Sequence, residues 1–313
     1  MSGFSVLNPG MLSLLQDGGR YGQHRIGLTN GGPLDRLAMS WANRLVHNDS
    51  FATAIEASFG GLKLEAQVNT LLAVTGGDQA LTINGAEKAT WRSHRIEAGD
   101  IVELGFAQKF CRSYLAVHGG FDIAPSFGST ATVVREGIGG LDGGKLDSGD
   151  TLPARGTTEA QCLALNDPNR RPYQTDISVR VLPGYQQHHF PRLQQRRFFA
   201  GAYTVTERAD RMGYRLEGPV IQCDIKGILS EGICMGAIQV PADGQPIVLL
   251  QDRQTIGGYP KIGSALSLDT GRLAQLMPGA TVRFEPVTPH AADNLFHMAR
   301  SMHRRMTLDP IND

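Results

Sequence analysis

The 313-residue chain is long enough for two domains of ordinary size, and its 30 Lys and Arg residues are balanced by 30 Asp and Glu residues. This neutral balance argues against a nucleic-acid partner or an anionic membrane surface that is bound through bulk electrostatics. The sequence has neither an apolar run that could span a bilayer nor a basic-then-apolar secretion signal at its N-terminus, so we expect a cytoplasmic protein without a membrane partner.

The first half of the chain predicts one helix and several short strands. One helical face is apolar in residues 33–48, at Leu34, Leu37, Ala38, Trp41, Ala42 and Leu45. Strands are predicted for three short apolar runs bounded by turn residues, which are TLLAVTG, DIVELGF and SYLAVHG. Many short strands with Gly-rich turns are typical of mainly β folds, and we predict a β-barrel domain over residues 1–155.

The second half repeats this character, with predicted strands at SVRVLPG, AIQVP, PIVLLQD and ATVRFEP. Asp269 is predicted to cap a short helix that Pro278 stops. Thr288 and Pro289 predict the start of a longer helix. We expect the apolar stripe of that longer helix to be core, and it consists of Leu295, Met298, Ala299 and Met302.

A polar, turn-rich segment over residues 156–174 separates the two halves and is predicted to be a linker. The C-terminal β-barrel domain then covers residues 175–313. A weak internal echo links the halves, because a glycine turn leads into an apolar strand in EAGDIVELG, DSGDTLP and MPGATVRFEP.

Two features that often mark cofactor sites are present only in part. The segment GGLDGGKL resembles a phosphate-binding loop, but Leu146 stands where Ser or Thr should bind magnesium, and a strand follows where a helix is needed. We therefore expect a Gly-rich hairpin. The cysteines lack zinc-site spacing, so we predict no metal site and buried free thiols at Cys111, Cys162, Cys223 and Cys234.

The strongest candidate site lies in residues 230–263, where polar side chains flank short strands. If these strands pair as hairpins, their ends meet at one rim and form a pocket for a small polar substrate. We predict catalytic roles, as proton acceptor, cation and oxyanion donors, for Asp252, Lys261, Tyr259 and Thr255. We predict substrate binding by Glu231, Gln239, Gln245, Gly257 and Gly258, joined from other segments by Arg20 and Arg211.

These segments resemble a known family. QDGGR, GGPLD, ANRLVHND, YLAVHGG, DRMGYRL, GAIQVP, GQPIVLLQDRQTIGGYPK and LAQLMPG occur in this order in the biotin-dependent carboxyltransferase domain, also called allophanate hydrolase subunit 2. The family includes the C subunit of 5-oxoprolinase, an antagonist of the sporulation kinase inhibitor KipI, and part of urea carboxylase. The resemblance covers nearly the whole chain and implies two cyclophilin-like β-barrel domains with a few short helices.

The resemblance also implies a function, which is ATP-dependent opening of 5-oxo-L-proline to L-glutamate by a complex. The implied partners are a KipI-like B subunit, also called allophanate hydrolase subunit 1, and a larger A subunit. This chain is expected to bind no cofactor firmly, while the complex uses ATP and Mg²⁺. Two alternatives stay open: a carboxyltransferase component for urea or a related amide, which uses biotin, and a non-enzymatic antagonist of a KipI-like inhibitor.

Overall fold

The computed structural model describes residues 3–165, 170 and 172–312. The chain forms two compact units. Unit 1 comprises Met1–Gln23, Asn30–Pro172 and Thr307–Asp313, and unit 2 comprises His24–Thr29 and Tyr173–Met306. The predicted linker lies within unit 1 except for its last two residues, and its positions 166–169 and 171 fall outside the described residues.

The strands of unit 1 are short and follow one another closely. They are β1 (Gly3–Pro9), β2 (Leu12–Gln16), β3 (Ala54–Ser58), β4 (Leu62–Ala66), β5 (Thr70–Gly76), β6 (Leu81–Ile83), β7 (Ala86–Lys88), β8 (Ser93–Ile96), β9 (Ile101–Leu104), β10 (Arg112–Val117), β11 (Thr151–Pro153) and β12 (Leu163–Ala164). The strand β12, inside the predicted linker, pairs with the last strand of the chain, β22 (Asp309–Pro310).

Two antiparallel sheets form the body of unit 1, in the orders β11-β1-β4-β9-β6-β7 and β2-β3-β10-β5-β8. A single apolar cluster draws side chains from both sheets, including Phe4 and Leu64 of the first and Ile55 and Leu115 of the second. Because these side chains are removed from water together, their burial holds the two sheets against each other.

The helix α1 (Arg36–Leu45) packs on the second sheet and confirms the first predicted helix. Asp35 caps it, because its carboxylate accepts a hydrogen bond from the Ala38 amide at 3.2 Å. The predicted apolar face is buried against β5 and β10, where Ala38, Ala42 and Leu45 contact a second apolar cluster.

Unit 2 is built on a closed barrel of seven strands in the order β13-β20-β17-β18-β15-β14-β21. The strands of this unit are β13 (Asp176–Pro183), β14 (Ala202–Ala209), β15 (Gly213–Glu217), β16 (Glu231–Gly232), β17 (Ala237–Gln239), β18 (Ile247–Leu249), β19 (Ile256–Gly257), β20 (Lys261–Ala265) and β21 (Thr281–Pro286). β13 and β21 pair in parallel, and the other pairs of the barrel are antiparallel.

Three helices accompany the barrel: α2 (Arg192–Ala200), α3 (Ser267–Leu273) and α4 (Pro289–Arg305). The packing of α2 is aromatic, since Phe198 stacks on Phe284 of β21 with ring centroids 4.5 Å apart. Short 3₁₀ turns occur at His24–Ile26, Val134–Glu136 and Tyr185–His189. None of the described helices combines the length and the hydropathy that crossing a bilayer requires.

The mainly β fold with few helices is confirmed, and the seven strands predicted from apolar runs are all present. The predicted cap of α3 is wrong: the helix begins at Ser267, and Asp269 is fully buried. Its carboxylate accepts from Nε and Nη2 of Arg180, each at 2.7 Å. Asp269 therefore links α3 to β13 and does not cap the helix.

The predicted core role of the α4 stripe is also wrong. Thr288 does cap this helix, because its hydroxyl accepts from the Ala291 amide at 3.2 Å. However, none of the described residues of α4 is buried, and Met298 and Met302 are 61% and 58% exposed. The prediction of buried cysteines is also wrong at Cys234, which is exposed, and at Cys223, which is half-buried, whereas Cys111 and Cys162 are buried.

Candidate functional site

The polar stretch at 251–263 is a folded connection between β18 and β20. After β18 the chain turns and forms the two-residue strand β19, whose partner is β16. This pairing places Gly257 opposite Glu231. The chain then enters β20 at Lys261, which lies opposite Gln239 of β17. Strand pairing therefore brings four of the predicted site residues to one part of unit 2.

The centre of this region is an ion pair between the Lys261 ammonium and the Glu231 carboxylate. Gln186 holds both partners: its Nε2 donates to Glu231 Oε1 at 2.8 Å, and its Oε1 accepts from the Lys261 backbone N–H at 2.8 Å. Lys261 and Gln186 are buried, whereas Glu231 is half-buried. Because the Gln186 side chain binds both the backbone of Lys261 and the carboxylate of Glu231, it fixes the positions of these two residues relative to each other.

Tyr185 completes the group. Its ring centroid lies 5.8 Å from Lys261 Nζ, and its hydroxyl accepts from Gln186 Nε2 at 3.1 Å. Hydrogen bonds from Lys261 and then from Tyr185 lower the pKa of Glu231 below its ordinary value. The same carboxylate raises the pKa of the Tyr185 hydroxyl. We call these four residues, Tyr185, Gln186, Glu231 and Lys261, the Lys261 cluster.

Gln239 and Gly257 are the strand partners of the cluster and are tightly fitted to each other. A Cβ atom at position 257 would lie 2.7 Å from Gln239 Nε2 and 3.2 Å from a methyl carbon of Ile233. Gln239 is buried, so its amide has little room to move away. A larger residue at 257 would therefore have to displace the Gln239 amide.

The other predicted residues of the loop have varied surroundings. The Gly258 carbonyl accepts from the Ile228 amide at 2.9 Å, and the Thr255 carbonyl accepts from the Ile233 amide at 3.2 Å. Tyr259 is 48% exposed. Their backbones shape the loop, and the Thr255 and Tyr259 hydroxyls remain predicted hydrogen-bond donors to substrate.

Asp252 belongs to a separate group. Its two carboxylate oxygens accept from Nε and Nη2 of Arg211 at 2.8 and 2.9 Å, and its backbone N–H donates to the Arg211 carbonyl at 2.9 Å. Both side chains are buried. This bidentate ion pair links the chain before β15 to the chain after β18, and both carboxylate oxygens of Asp252 take part in it. The structure thus joins two predicted site residues to each other, away from bulk water.

Arg20 and Gln245 bind backbone groups. The fully buried Arg20 guanidinium lies in unit 1, where it donates to the carbonyl oxygens of Ser126 and Ala131 at 3.0 Å each. In unit 2, the Gln245 side chain brackets Gly218, accepting from its N–H at 2.9 Å and donating to its carbonyl at 3.2 Å. Through these contacts both residues stabilise the backbone of loops.

Sequence reasoning missed Tyr185 and Gln186. They follow the Pro-Gly end of β13, and an aromatic–amide run directly after a strand was a signal that could have found them. Chemically, the Lys261 cluster presents an ammonium, a carboxylate, a phenol and an amide within one hydrogen-bonded group. Such a group can bind a small molecule that carries both an anion and an amide. Among the described residues, no group of three or more His, Cys, Asp or Glu side chains could hold a metal ion.

The structure is that of a mainly β protein of two units, one of which is a closed barrel that carries a polar cluster. The chain belongs to the family described as carboxyltransferase domain, subdomain A and B, whose model matches residues 26–286.

Relatives within this family differ in length. The chain is 38% identical to the C subunit of Escherichia coli 5-oxoprolinase over 89% of each chain, and 33% identical to the Haemophilus influenzae protein of that name over 93% of each. The crystal structure of Kluyveromyces lactis urea amidolyase matches all of this chain with a TM-score of 0.90 and 26% identity. This chain spans only 20% of that protein.

Proposed function

We propose that this chain is a component of an ATP-dependent 5-oxoprolinase, the complex that opens 5-oxo-L-proline to L-glutamate. The observation that carries the proposal is the match, over 89–93% of each chain, to two proteins named as the C subunit of 5-oxoprolinase, at 33–38% identity. The match to urea amidolyase, by contrast, uses a fifth of a much longer chain. The length and identity of the relatives therefore favour the hydrolase complex.

The chemistry of the Lys261 cluster supports the same reading. The substrate carries one carboxylate and a lactam that offers an N–H donor and a carbonyl acceptor. In our proposal Lys261 binds the carboxylate of the substrate, and Glu231 accepts a hydrogen bond from the lactam N–H. Thr255 and Tyr259 donate to the carbonyl oxygen, on which negative charge develops as the amide opens.

The overall reaction consumes water and ATP. The C–N bond of the lactam breaks, its nitrogen becomes the amine of glutamate, its carbonyl carbon becomes the second carboxylate, and ATP becomes ADP and phosphate. Transfer of the terminal phosphoryl group to the lactam oxygen makes that carbon easier for water to attack. In our proposal the assembled complex uses ATP together with Mg²⁺.

The names of both relatives describe parts of a multi-chain enzyme, which implies an assembly. We propose a KipI-like B subunit and a larger A subunit as the partners, with activity only in the complex. Glu231 of the Lys261 cluster is half-buried, so a partner subunit can cover the exposed part of the cluster and contribute further residues to the site.

The proposal is tested by co-expressing this chain with the A and B subunits from its own source and measuring glutamate release from labelled 5-oxoproline. We expect release only when ATP is added and this chain is present. No release from a complex in which all three chains are folded and bound would overturn the proposal.

A second candidate is a carboxyltransferase component, which the TM-score of 0.90 to urea amidolyase favours. In that case biotin on a partner carries the carboxyl group, and urea or a related amide receives it. Biotin-dependent incorporation of labelled bicarbonate into urea by the complex, without glutamate release, would select this alternative.

A further inference from the structure

A cleft of about 690 Å³ lies on the surface of unit 2, along one face of α2. Its lining residues come from successive turns of that helix and from the end of β21, and they are Arg192, Gln195, Arg196, Phe199, Ala200 and Pro286. The volume lies within the range of small-molecule sites in proteins. None of the lining residues belongs to the Lys261 cluster.

The end of the cleft nearest the start of α2 is cationic. Arg192 and Arg196 are exposed and stand one turn apart, a spacing at which like charges repel within a helix. No carboxylate is found among the described lining residues, and the sequence of α2 contains no acidic residue. Unit 2 as a whole has 16 Lys and Arg residues against 11 Asp and Glu residues, so the surroundings also favour an anion.

The start of α2 adds to this positive field. The helix follows Pro191, and no side chain caps its first turn. The positive end of the helix dipole therefore lies beside Arg192. Two guanidinium groups and this helix end offer several donors for the oxygens of phosphate groups, which suit the planar fork of arginine.

The other end of the cleft is aromatic and held in place. Phe199 is half-buried and packs edge-on against Phe198, with ring centroids 4.9 Å apart. Phe198 is itself stacked on Phe284 of the barrel. Phe199 therefore offers a supported apolar surface at about 10 Å from Arg192, given the rise per residue of an α-helix.

Between the two ends the cleft has a fixed polar wall. Gln195 Nε2 donates to the carbonyl oxygens of Gln187 and Phe190 at 2.9 and 2.8 Å. These bonds attach the exposed face of α2 to the segment that precedes it. The cleft is thus an open surface with a cationic end, a polar middle and an aromatic end.

From this arrangement we propose that the α2 cleft binds a nucleoside phosphate, with its phosphates on Arg192 and Arg196 and its base against Phe199. A lone phosphate would fill only a small part of the cleft and would leave the aromatic end unused. An acidic peptide would use the arginines but has no flat ring for Phe199. Binding of this kind does not depend on 5-oxoproline turnover.

The test is titration calorimetry on the isolated full-length chain with ATP, pyrophosphate and adenosine as separate probes. We expect ATP to bind with a dissociation constant below about 1 mM, pyrophosphate more weakly, and adenosine most weakly. The double variant Arg192→Gln/Arg196→Gln should weaken ATP binding at least tenfold. Phe199→Leu should weaken ATP binding and leave pyrophosphate binding unchanged.

Arg197→Gln is the matched control, because Arg197 lies on the same helix and does not line the cleft; it should leave ATP binding unchanged. Circular dichroism and melting temperature check that each variant is folded, and Arg192→Lys/Arg196→Lys should keep part of the affinity. The proposal is overturned if 5 mM ATP gives no binding, if Arg197→Gln weakens ATP as much as the double variant, or if a polyglutamate peptide binds the chain more tightly than ATP.

Discussion

Glu231 connects the members of the Lys261 cluster, because its carboxylate is bound by Lys261, Gln186 and Tyr185. Gln186 is buried and contacts both the Glu231 carboxylate and the backbone of Lys261. At the scale of single residues, the cluster is therefore a carboxylate whose charge is held by a cation and two neutral donors. This arrangement keeps Glu231 ionised and keeps Lys261 directed toward it.

The lowered pKa of Glu231 makes the contribution of this carboxylate to stability depend on pH. The folded protein binds the Glu231 proton more weakly than the unfolded chain, so the contribution is present above the ordinary value of 4.5 and is lost as pH falls through the lowered pKa. Urea unfolding of the wild type and Glu231→Gln, between about pH 3 and pH 7, should show a stability difference that shrinks toward the acid end. A difference that stays constant across this range contradicts the assignment.

The Arg211–Asp252 pair is buried, and breaking it from one side should be more damaging than removing both charges. Arg211→Met leaves the Asp252 carboxylate buried without its guanidinium and should reduce the unfolding free energy by about 3–5 kcal/mol.

The double variant Arg211→Met/Asp252→Leu replaces the pair by apolar groups and should recover much of that loss. Denaturant unfolding measures both changes. A double variant as unstable as the sum of the two single variants would show that the pair is not a coupled unit.

At the scale of elements, α1 and α4 have similar amphipathic sequences and different surroundings. The apolar face of α1 is buried on the second sheet, whereas α4 has no buried residue among those described. Amphipathic spacing predicts where a helix forms, because the pattern is local. It does not predict what covers the helix, because that depends on distant parts of the chain.

This difference predicts how the two helices respond to truncation. Met298→Ala and Met302→Ala should each change the unfolding free energy of the isolated chain by no more than about 0.5 kcal/mol, because both side chains are largely exposed. Met39→Ala in α1 is the matched control and should reduce it by about 2–5 kcal/mol, since Met39 is fully buried. A loss at Met298 as large as that at Met39 would show that α4 is covered by packing in the isolated chain.

The other elements were also predicted correctly where the signal is local in the sequence, and missed where it depends on distant residues. Strands bounded by glycine turns were predicted, and the three echoed segments each place a glycine at positive φ, at Gly99, Gly149 and Gly279, before β9, β11 and β21. The helix α2 was missed because only Gln194 and Phe198 are buried in it, so it has no apolar stripe. The start of α3 was misplaced because Asp269 pairs with Arg180, which is 89 residues away in sequence.

The members of the candidate site were predicted where they lie close together in the sequence and missed where they lie far apart. Glu231, Gln239, Gly257 and Lys261 were identified because they lie within one dense polar stretch, and strand pairing brings them together. Tyr185 and Gln186 were missed because they lie 45 or more positions earlier in the chain, and only the folded barrel places them beside Lys261. Asp252 has the right position in the sequence, but burial pairs it with Arg211.

At the scale of the whole molecule, family membership and similarity over 89% of each chain to the C subunit of Escherichia coli 5-oxoprolinase point to one component of a larger assembly. A half-open cluster on one unit is consistent with a site that partners complete. The central claim is therefore that the Lys261 cluster takes part in 5-oxoproline opening within the complex.

The most direct measurement is kcat/KM for ATP-dependent glutamate release by the assembled complex carrying Lys261→Met. Lys226→Met serves as the control, because Lys226 is an exposed lysine of the same unit outside the cluster. Loss of the cation that binds the substrate carboxylate should reduce kcat/KM about 100-fold or more in the Lys261 variant, with assembly intact and the control unchanged. A Lys261→Met complex that assembles and retains at least half of the wild-type kcat/KM would contradict the account.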